Sequence, residues 1–327
     1  MILAGDIGGT HARLAYVEPQ NGHLHVLSER IFPSRQYRGL GDIVSEFLSS
    51  QAAQPEAACF GIAGPVRNGR VETSNLPWVI EQPRLAKQIA MPATLLINDL
   101  EANAWGIAAL GSSDLVSLNH VSSSPGNQAV IAPGTGLGEA GLYWSRGSHQ
   151  ILASEGGHAD FAPRGELQTA LLQFLEARYG HVSYERILSG PGLVNVFEFL
   201  SARNLQAPAV TFKTSDPAAI SNAALDGSHP IAAQALDLWI SVYGAEAGNL
   251  ALKFMATGGV YLAGGISPKI LPRLQGPLFM QAFIDKGRLR PLLESIPVHV
   301  ITNDQLGLLG AARCASETGR NGDSGKS

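Results

Sequence analysis

The chain has 327 residues, 45% of them hydrophobic and 15% charged, with a formal net charge of −4. That composition supplies ample core for two domains of ordinary size, and the charge argues against a general nucleic-acid binder, which carries a basic face. Cys59 and Cys314 are the only cysteines, too few for a disulfide scaffold or a Cys-rich metal site and in keeping with a reducing compartment. The 37 glycines point to many tight turns or close backbone approaches.

Residues 2–7 read as a core strand from the start. No basic segment followed by a long apolar run precedes them, so no signal peptide is expected and the expected location is cytoplasmic. Apolar windows such as 95–97 and 260–263 are short and bounded by Gly or Asp, so no membrane span is expected. The opening strand runs into Asp6, then Gly8-Gly9-Thr10, then a returning strand from Arg13. Such a turn either exposes backbone amides to an anion, with Asp6 facing a cation held by it, or is an ordinary hairpin. Residues 14–17 and 24–31 complete a three-stranded antiparallel meander.

Residues 39–53 carry Leu40, Ile43, Val44, Phe47 and Leu48 at helical spacing. A strand follows at 57–63, a short hairpin at 66–72, and a polar loop, Thr73-Ser74-Asn75-Leu76-Pro77-Trp78. A helix is predicted at 83–89, a strand at 93–97 and a helix at 100–110, with Asn98-Asp99 between the last two. Ligand-type residues thus collect where strands give way to turns, the edge at which open α/β sheets build sites.

The polar interval 111–126 is predicted to be an excursion near a domain boundary. The opening pattern then recurs: a strand at 128–132, the turn Pro133-Gly134-Thr135-Gly136-Leu137-Gly138, and a returning strand at 139–144. Two related domains are therefore expected, each opening with a Gly-rich β-turn-β unit. Beyond lie a polar loop, Ser154-Glu155-Gly156-Gly157-His158-Ala159-Asp160-Phe161, a helix at 166–179, a second polar loop around Glu185, and a helix at 193–202. Residues 203–215 read as irregular. Asp216-Pro217 starts a helix over 218–225, and 230–254 is the longest apolar-periodic stretch, suited to a buried helix. A strand between glycine pairs spans 258–266 and ends at Gly264-Gly265. Short helices are predicted at 268–274 and 277–285, then a strand at 297–301, a capping segment Thr302-Asn303-Asp304-Gln305, and a last helix. The polar tail 317–327 is predicted to be disordered.

There is no Walker A sequence and no dinucleotide fingerprint. What remains is two glycine turns, Gly8-Gly9-Thr10 and Gly134-Thr135-Gly136, which across a cleft could hold the phosphates of one nucleotide. Gly264-Gly265 either lets an adenine ring lie on the backbone or makes a tight strand-to-helix turn. Asn98-Asp99 is the sharper catalytic signal: a carboxylate at a strand end can take a proton from an alcohol while the amide fixes another hydroxyl. The alternative is an Asp that caps the next helix. Glu155, His158 and Glu185 make a poor metal cluster, lacking a His-x-x-x-His pattern and a nearby Cys, and a better clamp for a polyol. A structural histidine and a solvated Glu185–Arg186 pair are the alternatives. No Gly-x-Ser-x-Gly elbow supports a nucleophilic serine.

These residues together resemble the bacterial glucokinase family, ATP-dependent sugar kinases of the actin-like ATPase superfamily. The resemblance covers nearly all of the chain through Arg313. It rests on Gly5-Asp6-Ile7-Gly8-Gly9-Thr10-His11-Ala12-Arg13-Leu14, Ile97-Asn98-Asp99-Leu100, Pro133 to Gly138, Glu155 to Phe161, His181 to Gly192 and Leu262-Ala263-Gly264-Gly265-Ile266. It implies a two-domain α/β fold of the ribonuclease H-like kind, with nucleotide and sugar in the interdomain cleft. The domains implied are 1–108 completed by a returning helix at 303–316, and 109–302.

The reaction implied is transfer of the γ-phosphoryl group of ATP to the 6-hydroxyl of D-glucose. Asp99 would be the general base, and Asn75, Asn98, Glu155, His158 and Glu185 would join it as sugar ligands. Asp6 would orient Mg²⁺ through water. Gly8, Gly9, Thr10, Gly134, Thr135 and Gly136 would face the phosphates, and Gly264 and Gly265 the adenosine. The family motif often has Asn after Thr10, where this chain has His11. Related repressor/kinase-type sugar kinases usually carry a Cys-rich zinc motif after the Glu-Gly-His loop. None follows Asp160-Phe161 here, so no structural zinc is expected. A homodimer, and no nucleic-acid or membrane partner, are also implied. Kinases for fructose, mannose or an N-acetylhexosamine are the nearest alternatives, followed by a non-catalytic sugar or nucleotide sensor.

Overall fold

A computed structural model describes residues 1–20, 23–51, 53–73, 76–204 and 210–323. In chain order the elements are β1 (Ile2–Ile7), β2 (His11–Gln20), β3 (His23–Pro33), α1 (Leu40–Ser49), β4 (Ala57–Ile62), β5 (Arg70–Glu72), β6 (Val79–Glu81), α2 (Gln82–Gln88), β7 (Thr94–Asn98) and α3 (Asp99–Ile107). Next come β8 (Leu115–Ser117), β9 (Gln128–Pro133), β10 (Leu137–Ser145), β11 (Ser148–Ala153), α4 (Gly165–Tyr179), α5 (Gly190–Arg203), α6 (Pro217–Leu225) and α7 (Pro230–Phe254). The chain closes with β12 (Gly259–Leu262), α8 (Leu271–Leu274), α9 (Pro277–Ile284), α10 (Arg290–Glu294), β13 (Val298–Ile301) and α11 (Leu306–Asp323).

Two compact units form, Met1–Ser113 with Asn303–Ser327, and Asp114–Thr302. The first is built on a five-stranded sheet in the order β3-β2-β1-β4-β7. Strands β3, β2 and β1 are the expected antiparallel meander, and β1, β4 and β7 run parallel. Parallel strands covered on both faces read as continuous apolar runs, and β4 accordingly buries Ala58 to Ile62. On one side of the sheet α1 buries Leu40, Ile43, Val44 and Phe47 with Leu3, Leu14 and Phe60. On the other, α11 packs Leu308, Ala311, Ala312 and Cys314 against Ile2, Ala4 and Cys59.

Helices α3 and α11 cross at very short range. A β-carbon at Gly310 would collide with the Ala102 carbonyl, and one at Gly106 with the Leu306 carbonyl. Asn303 Oδ1 accepts from Gln305 N at 2.8 Å just ahead of α11, so the expected capping segment is present. The helix itself runs through Asp323, which corrects the expectation of a structureless tail from 317. The Arg313–Glu317 ion pair at 2.9 Å and the Thr318 hydroxyl bonded to the Cys314 carbonyl at 2.8 Å carry it past that point.

The second unit repeats the plan on a six-stranded sheet in the order β11-β10-β9-β12-β13-β8. Again an antiparallel meander (β9, β10, β11) leads into parallel strands (β9, β12, β13), with β8 antiparallel at the far edge. Its core centres on α7, which buries residues around nearly its whole circumference, including Trp239 and Tyr243. Within the polar 111–126 interval lies β8, paired with β13. The 66–72 hairpin is tighter than expected, with an Arg67–Arg70 bridge closing around Asn68 and Gly69, both at positive φ. Its second strand then pairs forward with β6. Among the described residues no helix is long and apolar enough to cross a membrane.

Candidate active site

In the first unit, Asp6, the last residue but one of β1, lies opposite Arg13 of β2. Arg13 is itself held by Glu29 at 3.2 Å and Asp304 at 3.0 Å. The Asp6 carboxyl lies against the first turn of α11, where a methyl group on Gly307 would be 3.2 Å from its Oδ2. Burial pushes its pKa up, and Arg13 pulls it part of the way back. The following turn is fixed from behind. Gly8 N donates to the His11 carbonyl at 2.9 Å, the Ser34 hydroxyl donates to the Gly8 carbonyl at 2.9 Å, and Ser34 N donates to the Thr10 carbonyl at 3.0 Å. Thr10 is exposed at the tip.

Asn98 ends β7 and caps α3. Its Oδ1 accepts from Leu100 N at 2.8 Å and its Nδ2 donates to the Gly64 carbonyl at 2.9 Å, which leaves one amide hydrogen for a ligand. Asp99 is the first residue of α3, half-buried, and its Oδ1 also accepts from Leu100 N, at 3.0 Å. The cap is therefore chiefly Asn98, and the helix N-terminus favours a negative charge where Asp99 stands. Asn75 lies outside the described residues.

In the second unit, the Gly134 turn closes through Gly134 N to the Gly136 carbonyl at 2.8 Å, and the Gly134 carbonyl accepts from Gly190 N at 2.8 Å. Gly264, at φ +77°, packs against the Pro133 carbonyl with no room for a β-carbon, while Gly265 has open space beside it. The structure thus brings Gly134–Gly136 and Gly264–Gly265 together at the ends of the paired strands β9 and β12.

The Glu155–His158 segment makes a single 3₁₀ turn, with His158 N donating to the Glu155 carbonyl at 3.0 Å and Gly156 N to the Ser154 hydroxyl at 2.8 Å. Glu155 and His158 are exposed, and neither side chain has a partner among the described residues. This turn is tied to the Glu185 loop by Phe161 N to the Val182 carbonyl at 2.9 Å and Tyr184 N to the Ala159 carbonyl at 3.0 Å. Glu185, half-buried, accepts from Leu137 N at 2.9 Å. It does not pair with Arg186, whose guanidinium stacks over Tyr179 at 4.2 Å.

The Glu155–His158 turn, the Glu185 carboxylate and the Gly134–Gly136 turn therefore all adjoin Leu137 at the start of β10. The sequence pattern does not single out one further residue on this strand, Glu139, an acid buried on β10. The strand pattern gives it an element, but the groups around its carboxyl, Gly156 and the α7 residue Glu246, come from later in the chain. Among the described residues no three His, Cys, Asp or Glu side chains form a group that could hold a metal ion.

The family model described as Glucokinase matches residues 3–318. The chain belongs to the glucokinase family. Among similar glucokinases, that of Nostoc sp. is 44% identical over 97% of this chain and 99% of its own length. The crystal structure of a glucokinase from an Antarctic psychrotroph superposes with a TM-score of 0.86 at 32% identity, over 97% of this chain and 98% of that one. A glucokinase of the ROK family from Streptomyces griseus, solved in complex with glucose and AMPPNP, shares the fold at a TM-score of 0.65 and 22% identity, over 97% and 99% of the two chains. The two-sheet architecture of this glucokinase-family enzyme is thus the actin-like ATPase fold.

Proposed function

We infer that this chain transfers the γ-phosphoryl group of ATP to the 6-hydroxyl of D-glucose, releasing glucose 6-phosphate and ADP. The observation that carries this reading is the family match across residues 3–318. The placement of Asp99 at the head of α3 supports it, since a carboxylate held at a strand end can accept the hydroxyl proton. In the proposed step O6 attacks the γ-phosphorus in line, its proton passes to an Asp99 carboxylate oxygen, and ADP departs. Asn98 directs its remaining amide hydrogen to a neighbouring hydroxyl. Glu155, His158 and Glu185 hold further hydroxyls, and a sugar that leaves one of them unpaired is rejected.

With the Gly8 and Gly134 N–H groups taken up in closing their own turns, the backbone N–H groups of Gly9, Thr10, Thr135 and Gly136 are the ones offered to the phosphates, and Gly264-Gly265 offers a flat backbone to the base. A hydrated Mg²⁺ asks for one or two carboxylates beside phosphate oxygens. Asp6 fits that demand as a lone carboxylate next to an anion-type turn. Held there through water, Mg²⁺ would neutralise charge on the β- and γ-phosphates. A homodimer and a cytoplasmic location belong to the same proposal.

The test is a coupled assay with Mg-ATP run across glucose, mannose, fructose and N-acetylglucosamine. Preference for glucose supports the reading. Preference for another sugar keeps the phosphoryl transfer and reassigns the clamp.

A further inference from the structure

Glu139 stands two residues beyond Leu137 on β10, on the same face of the strand. It is 1% exposed, and neither carboxyl oxygen has a hydrogen-bond partner among the described residues. That face is the floor of the Glu155–His158 turn. Gly157 is packed on Leu137, and Gly156 on the Glu139 carboxyl, so closely that neither position has room for a β-carbon. From the other side α7 presents Glu246, fully buried, whose oxygens are taken by Asn249 Nδ2 at 2.8 Å and Lys253 Nζ at 3.2 Å. A second ionised carboxylate beside Glu246, without a donor of its own, would bear its desolvation cost uncompensated.

We propose that Glu139 is a positioning residue for the sugar: as a neutral carboxylic acid it supports the Gly156-Gly157 floor beneath Glu155 and His158, and its ionisation displaces that floor and weakens sugar binding. The inference rests on the reading of Glu155 and His158 as sugar ligands. Its proton is lost to solvent, and no bond to the substrate is involved.

The surroundings agree from every side. Helix α7 contributes Glu246, Tyr243 and, with the opposite sign, Lys253. Strand β9 places Ile131 directly across, and β11 places Ala153 beside Ala140. The turn contributes Ser154 and the Gly156 backbone. Tyr243 shares a hydrogen bond with Ser267 at 3.0 Å, and Tyr184 accepts from Asn249 at 3.1 Å behind Glu246. Burial first, and Glu246 second, push the Glu139 carboxyl up to about 8, with Lys253 pulling the other way. The change of state thus falls inside the working pH range of an ordinary assay.

The experiment is steady-state kinetics from pH 6 to 9.5 on the wild type, Glu139→Gln and Glu246→Gln, with glucose and ATP varied separately. If only the neutral form binds sugar, KM for glucose should be about tenfold higher at pH 9 than at pH 7, with KM for ATP nearly flat. Glu139→Gln, neutral at every pH and close in shape, should keep the wild-type KM at pH 7 and lose the alkaline rise. Glu246→Gln, which removes the neighbouring charge, should move the rise to lower pH, and it keeps the test open should the first variant fail to fold. A wild-type KM for glucose that is flat to pH 9.5, a rise that survives in Glu139→Gln, or no movement in Glu246→Gln would overturn the proposal. Failure of the underlying site reading shows separately, as unchanged KM for glucose at pH 7 in Glu155→Gln and His158→Ala.

Discussion

The Glu185 carboxylate accepts a hydrogen bond from the backbone N–H of Leu137 at 2.9 Å. Leu137 is the first residue of β10 and directly follows the Gly134-Thr135-Gly136 turn. A proposed sugar ligand is therefore fastened to the proposed phosphate turn by a single charge-assisted bond, of the stronger kind. Movement of the turn is movement of Glu185.

Gly136 is the place to test that link. A methyl group there would stand 2.5 Å from Glu185 Oε2, so Gly136→Ala must shift either the carboxylate or the turn. Overpacking of this kind costs about 1–3 kcal/mol. The expected outcome is KM values for both glucose and ATP raised roughly tenfold, with the melting temperature lowered by a few degrees. Unchanged KM for both substrates would separate the two groups functionally.

The α3–α11 crossing should be the least forgiving contact of the first unit. Gly310 faces the Ala102 carbonyl with no space for a side chain, and backbone cannot rotate away. Gly310→Ala is expected to destabilise the unit by about 3 kcal/mol or more, read as a lowered melting temperature and loss of soluble enzyme. Because Asp99 heads α3, turnover per folded molecule should fall as well. A melting temperature within one or two degrees of wild type would contradict this packing.

Stability should fall as the pH rises through the neutral range. The Glu139 carboxyl sits at about 8 in the folded protein against its ordinary 4.5. Below 4.5 it is protonated in both states and costs nothing. Between 4.5 and 8 the unfolded chain ionises while the folded protein keeps the proton, so each step up in pH favours unfolding, by a few kcal/mol in all. Lys286, lowered to about 8 by burial and by Arg164, acts in a separate window. Its unfavourable buried charge is present below 8, and stability recovers as pH rises from 8 toward 10.5. Glu139→Gln should flatten the decline between pH 5 and 8 in thermal melts, and an unchanged slope would place the responsible proton elsewhere.

Much of the fold is legible in the residue pattern because the signals are local. Helix α7 has the bounds predicted from its apolar run, and both glycine turns appear where strand, Gly-rich turn and strand follow one another. The elements that escape are edge or short ones. Strand β11 pairs on one side only and alternates between exposed and half-buried residues, and β8 is three residues long and at most half-buried. Neither carries a core signature. In the candidate site, Glu155 and His158 are visible as polar residues in a Gly-containing loop. The bond between Glu185 and Leu137, and the burial of Glu139 against α7, join distant parts of the chain and have no local trace. The reading of Glu185 with Arg186 fails for the same reason, since Tyr179 takes the guanidinium.

The most direct measurement compares wild type with Asp99→Asn in one preparation, reading glucose 6-phosphate formed from glucose and Mg-ATP alongside glucose affinity by calorimetry. The wild type should convert glucose with one ADP released per sugar phosphate. The variant should turn over about 10²–10⁴-fold more slowly, the usual contribution of a general base, with glucose affinity within a few-fold of wild type. Absence of glucose 6-phosphate from the wild type, or turnover in Asp99→Asn within a few-fold of it, would contradict the account.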